Sequence, residues 1–195
     1  YELSDFVAAM RETRPEVLPL IELRNNVLFP RTLTPITVGR ARTKKLVDDL
    51  SQGQNYVIVV AQRDPSDSHP YPKDLYEIGT LARVVRPLTL QNSFTLFVEG
   101  LCRVKITEFL QVDPYYRVRY DEIPEEDLNN YTPELLAVQD LLKDAAFEYS
   151  EQLRGRRNDV EGFFDRLKHY GPEATINFIS MYVPLEVEHK IELLE

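Results

Sequence analysis

"IGTLARVVRPLTLQNSFTLFVEGLCRVKITEFL", Ile78 to Leu110, is the stretch whose reading decides the fold. Three runs, Ile78 to Arg86, Phe94 to Glu99 and Arg103 to Leu110, are rich in β-branched and aromatic residues and are separated by turn chemistry, as successive antiparallel strands are. Within the first run, Ile78, Thr80, Ala82 and Val84 share one face while Gly79, Leu81, Arg83 and Val85 share the other. Apolar side chains stand on both faces, so both sides are expected to be covered, as in a small closed barrel. Asn92 tolerates unusual dihedrals and sits where a hairpin must turn, between Gln91 and Ser93. Gly100 is expected to take positive φ at a tight bend or a bulge.

Four further strands are predicted outward from this centre, over Leu18 to Leu23, Leu33 to Val38, Tyr56 to Gln62 and Tyr116 to Ile123. In the last of these Tyr116, Val118 and Tyr120 alternate with Arg117, Arg119 and Asp121, so one face is buried. A helix from Ala41 to Gly53 carries Leu46, Val47 and Leu50 at helical spacing. The stretch Arg63 to Asp74 contains three prolines and reads as a surface loop.

After the acidic segment Pro124 to Asn130 the apolar period changes from two to about 3.6. Thr132 caps and Pro133 opens a long amphipathic helix ending near Gly155. A second helix starts at Asn158, with Glu161 completing a capping box and Val160, Phe163, Phe164 and Leu167 on its apolar face. Gly171 and Pro172 stop that helix and start one bearing Ile176, Phe178, Ile179 and Met181. The last helix presents Val187, Ile191 and Leu194 and stops within its own apolar pattern, which suggests that the helical part is cut short. The expected organisation is α+β: a leader at 1–16, a small mixed or antiparallel β-barrel at 17–123, and a helical bundle subdomain at 124–195.

The chain has 195 residues, enough for a sizeable core, and one cysteine, Cys102, so no internal disulfide is possible. A reducing cytoplasmic location is expected. The apolar runs are too short to cross a bilayer, and the first residues lack the basic-then-apolar order of a signal peptide. Lys and Arg number 23 against 32 acids, a formal net charge of -9, which disfavours nucleic acid or anionic lipid as partners.

Chemistry is not written in any local motif. There is no Gly-x-Ser-x-Gly elbow and no glycine-rich phosphate loop, and His69, His169 and His189 stand apart from one another and from metal-ligand spacings. Cys102 has no flank that would stabilise a thiolate and reads as a buried apolar residue. No catalytic, cofactor-binding or metal-binding residue is assigned. What remains is apolar surface at strand ends and loops: Leu28, Phe29 and Pro30 in "RNNVLFP", and Leu88 and Leu90 in "RPLTLQNS". Either these five close the ends of the barrel, which is the favoured reading, or part of the set is a peptide-binding patch, which makes them candidate contacts for a protein substrate. Anchoring of its own loop is the favoured role for Phe29, with Arg24 and Asn25 organising the strand exit through backbone carbonyls.

Two stretches carry a resemblance. "LPLIELRNNVLFPRTLTPITVGR" from Leu18 to Arg40 is similar to the opening of the Lon protease N-terminal domain. "LYEIGTLARVVRPLTLQNSFTLFVEGLCRVKI" from Leu75 to Ile106 resembles that family's Gly-Thr strand, hairpin and Gly-x-x-Arg stretch, here Gly100 and Arg103. The resemblance implies a PUA-like barrel followed by a helical subdomain that recognises unfolded or damaged proteins and supports assembly of a hexamer. In the implied parent, an ATP-dependent serine endopeptidase of protein quality control, an ATPase module using ATP and magnesium unfolds clients and a Ser-Lys dyad cleaves them. This chain has neither module, so no enzymatic activity is expected of it. The alternative is a stand-alone adaptor or scaffold with a Lon-like domain and no motor.

Overall fold

The computed structural model describes residues 14–39, 41–50, 55–90, 93–124, 132–152 and 171–195, with the backbone alone for 86–90, 93–94 and 149–152. The predicted helix at Asn158 and its capping box lie outside the described residues. In chain order the elements are β1 (Val17–Leu23), β2 (Leu33–Val38), α1 (Ala41–Leu50), β3 (Tyr56–Ala61), β4 (Ile78–Leu90), β5 (Ser93–Gln111), β6 (Arg117–Glu122), α2 (Pro133–Gln152), α3 (Pro172–Tyr182) and α4 (Val187–Leu194). A single 3-10 turn, Pro72–Asp74, interrupts the surface loop after β3.

The strands form one six-stranded mixed sheet in the order β2-β5-β4-β3-β1-β6, with β5 also pairing β6. Only β1 and β3 run parallel; the other pairs are antiparallel. The predicted runs Phe94 to Glu99 and Arg103 to Leu110 are one continuous strand, β5, of 19 residues. Gly100 does not break it. Leu81 faces Cys102 and Ala82 faces Gly100, so Leu101 is the extra residue of a bulge.

The expected small PUA-like β-barrel is corrected to this mixed sheet. β2 pairs with β5 alone and has no strand on its other side among the described residues, so the six strands do not close into one ring. Pro35 fits that position, since a strand with one neighbour tolerates a residue that lacks an N–H. The long β5 pairs with β2 and β4 along its first part and with β6 along its second, so the sheet folds over itself and carries an apolar cluster on each face.

Strand alternation sorts the core residues between those clusters. Ile21, Val57 and Val59 pack with Ile36, Leu96 and α1 on one face, while Leu18, Leu20, Ile58 and Val60 pack with Leu81 and Val118 on the other. The predicted stripe of α1 is the buried one, Leu46, Val47 and Leu50, joined by Thr43. Tyr116 is fully enclosed; its hydroxyl donates to the Pro70 carbonyl, and Phe109 meets its ring edge-on at 5.6 Å between centroids. Thr132 caps α2 as expected, its Oγ1 accepting from the Leu135 N–H at 3.2 Å. Leu142 and Ala146 of α2 pack against Phe178 and Ile179 of α3, and Gln139 donates to Thr175 Oγ1 across the same contact at 2.9 Å.

Candidate protein-binding surfaces

The loop between β1 and β2 is extended, and its side chains alternate as they would on a strand. Leu28 points into the cluster beneath α1, whereas Val27 and Phe29 point the other way, into a third cluster made with Ala61, Met181, Ile191 and Leu194. That alternation explains why three apolar residues stand together before Pro30: the loop is wedged between the sheet and the C-terminal helices. Phe29 has 0% exposure, and Pro30 is buried as well.

The loop backbone is tied on every side. Val27 N–H donates to Asn26 Oδ1 at 2.9 Å, so Asn26 rather than Arg24 or Asn25 organises the exit. Thr80 Oγ1 donates to the Leu28 carbonyl and Thr32 Oγ1 to the Phe29 carbonyl, both at 2.6 Å. Arg31 takes a positive φ of 59°, the one such non-glycine residue among those described, and its N–H donates to the Gly100 carbonyl at 2.9 Å. A Cβ at position 100 would run into the carbonyl oxygen of Phe29. Close approach of this loop, rather than positive φ, is therefore what Gly100 serves.

The helices dock on that loop. Arg103 reaches from β5, donating through Nε to the Leu194 carbonyl at 2.7 Å and through Nη2 to Asn177 Oδ1 at 3.3 Å. Its charge stands at the C-terminal end of α4, where a cation is favourable. Lys190 is buried and donates to the Met181 carbonyl at 2.9 Å; burial pulls its ammonium below the ordinary lysine range. At the rim, Arg31 pairs with Glu173 at 3.2 Å.

Of the five predicted contact residues, Leu28, Phe29 and Pro30 are thus packed inside. Leu88 and Leu90 lie on β4 opposite Thr95 and Ser93, beside the hairpin turn, and their side chains lie outside the described residues. Apolar side chains outside the five candidates stand exposed on α2, where Val138, Leu141 and Phe147 are 55%, 68% and 50% exposed, although Leu141 belongs to the apolar spacing expected of that helix.

Two open concavities flank the sheet. One, of about 250 Å³, lies between the β1–β2 loop and the free edge of β2. The other, of about 590 Å³, lies where β4 ends and β5 continues, between Thr107 to Phe109 and the segment from Pro72 to Glu77. Among the described residues no group of three or more His, Cys, Asp or Glu could hold a metal ion, and no helix is long and apolar enough to cross a membrane. Cys102 is half-buried 3.5 Å from Arg14; burial, with Glu122 next in weight, pushes its thiol up to about 11.

Comparison with known proteins agrees on one family. The family model described as the substrate-binding domain of ATP-dependent protease La (LON) matches residues 17–195. Lon protease 2 of Sorangium cellulosum is 34% identical over 183 residues, covering 91% of this chain and 22% of that protein. Lon protease of Anaeromyxobacter dehalogenans is 32% identical over 183 residues, with 93% and 22% covered. The chain thus spans about a fifth of the length of these relatives. Among solved structures, the N-terminal domain of Mycobacterium avium complex Lon protease superposes with a TM-score of 0.70 at 14% identity, covering 92% of this chain and 90% of that one. The Lon N-terminal domain protein from Xanthomonas campestris gives 0.62 at 16% identity, with 92% and 89% covered.

Proposed function

Because the chain belongs to the substrate-binding domain family of ATP-dependent protease La (Lon), we propose that it is the non-catalytic part of such a protease that binds unfolded or damaged proteins in the cytoplasm. The observation that carries this reading is the family match from residue 17 to residue 195, which takes in the sheet, the loop and the helices together. The protein's own part is to hold a client near the motor. ATP-driven unfolding and Ser-Lys cleavage belong to modules outside this chain. Copies held in a hexamer would present several weak sites at once, and the raised effective concentration would let modest contacts retain a client.

In this reading residues 1–16 are a leader, and 17–123 and 124–195 are subdomains that work as one unit, since the β1–β2 loop is shared between them. Leu28, Phe29 and Pro30 then serve binding by holding the loop, while Leu88 and Leu90 at the hairpin are left as candidate client contacts.

The test is fluorescence anisotropy of this chain with carboxymethylated, permanently unfolded α-lactalbumin, with the native protein as control. Saturable binding of the unfolded form alone is expected. Equal binding of both forms, or none at millimolar chain, overturns the reading.

A further inference from the structure

β5 is 19 residues long, and β4, the longest of its partners, has 13. On the β4 side the pairing runs from Leu90 opposite Ser93 to Ile78 opposite Lys105, and the last bond is from Ile106 N–H to the Glu77 carbonyl at 2.8 Å. Val104 and Lys105 pair with β4 and with β6 at once, so those two neighbours lie on opposite edges of β5. β5 continues to Gln111 held by β6 alone. Thr107 to Gln111 therefore present an edge that no strand covers among the described residues. The free edge of β2 carries Pro35, whereas this segment contains no proline and keeps all its backbone N–H groups, its pairing with β6 shifting register at Thr107 and at Leu110.

The open edge forms one side of the groove of about 590 Å³, and Pro72, Lys73, Tyr76 and Glu77 form the facing side. Its charge is opposite to that of the whole chain, which is -9. Lys73 and Lys105 are exposed and have no ion pair among the described residues. Arg63 lies 4.5 Å over the ring of Tyr76, which holds its guanidinium at the groove. Of the two acids, Glu108 is already paired with Arg119 at 2.8 Å, leaving Glu77 against three cations. Backbone groups along such an edge recognise any extended chain, and flanking side chains choose among them.

We infer that the edge from Thr107 to Gln111 is a docking site for an extended, acidic segment of an unfolded client chain, which adds to the sheet as a strand beside β5. This rests on the reading of the protein as a client-binding domain. The negative charge of the rest of the surface steers an acidic segment away from other faces and toward the groove.

The probes are an acetylated peptide of about ten residues alternating Glu with Val and Tyr, and carboxymethylated α-lactalbumin. The peptide is expected to slow hydrogen exchange of amides within Thr107 to Gln111, and the double variant Lys73→Glu/Lys105→Glu, both surface changes, to weaken binding of both probes about tenfold or more. A peptide N-methylated at alternate residues is expected to lose binding. If unfolded α-lactalbumin binds wild type and double variant equally and those amides gain no protection, the proposal is wrong and the client-binding reading survives. If the unfolded protein does not bind wild type at all, both fall. Protection that appears on concentrating the chain without peptide assigns the edge to a second copy of the chain and overturns the proposal.

Discussion

Phe29 has no exposed surface and closes the contact between the β1–β2 loop, Ala61 and the last two helices. Phe29→Ala is expected to cost about 3–5 kcal/mol in urea denaturation followed by circular dichroism; an unchanged midpoint would show that the cluster adds nothing to folding. Gly100→Ala sets a methyl against the Phe29 carbonyl, and exchange of the Arg31 amide, which bonds Gly100, should rise in that variant. Burial, the largest cause in each case, raises the Cys102 thiol to about 11 and the Tyr120 hydroxyl to about 12. Both groups keep protons in the native state that the unfolded chain has released, so their contribution is whole below pH about 9 and is lost as pH climbs through those values. Lys190, pulled down by burial, acts in the opposite sense by recovering stability toward the ordinary lysine value. Alkylation of Cys102 at pH 8 should accordingly run about 100-fold slower than that of a free thiol; a rate near the free value would contradict the burial. The sequence favours anchoring for Phe29 but reads the same triplet as a candidate contact, and what decides between them is packing on Met181, Ile191 and Leu194, too far along the chain for a local pattern to show. The work of Arg103 is not legible, because one of its partners is the Leu194 carbonyl, and a backbone group leaves no mark on residue type.

Elements were legible where a local period and a local cap coincide. β2 was read with its observed ends, and the apolar stripe of α1 and the Thr132–Pro133 start of α2 follow directly from spacing. Thr132→Ala should cost about 1 kcal/mol, the usual worth of a lost N-cap, read from the thermal midpoint; no change would mean that α2 is held wholly by its packing on α3. The sequence misled where a glycine has two uses. Gly100 reads as punctuation between two strands, yet β5 passes through it and uses the missing side chain to admit another segment. Alternation also reports only which faces are covered. Whether a sheet closes depends on the pairing of distant edges, which the run Ile78 to Val85 cannot encode, and β2 stands outside any ring.

At the scale of the molecule, Arg103 makes two of the polar contacts that join sheet and helices. Arg103→Met keeps much of the side chain's bulk but leaves the Leu194 carbonyl and Asn177 without their donor; a loss of about 1–3 kcal/mol is expected. Hydrogen exchange should show α3 and α4 opening before β3 and β4; uniform loss over all elements would mean that the two parts unfold only together. The threaded loop also has a consequence for biosynthesis. Val27 and Phe29 leave the ribosome well ahead of the residues that cover them, and Thr34 is 147 residues from the Met181 sulfur it contacts. At roughly 5–20 residues per second, the apolar strip stays bare for on the order of ten seconds. For that interval the nascent chain displays an exposed hydrophobic stretch, so folding of the sheet has to proceed without the helices that finally cover its loop.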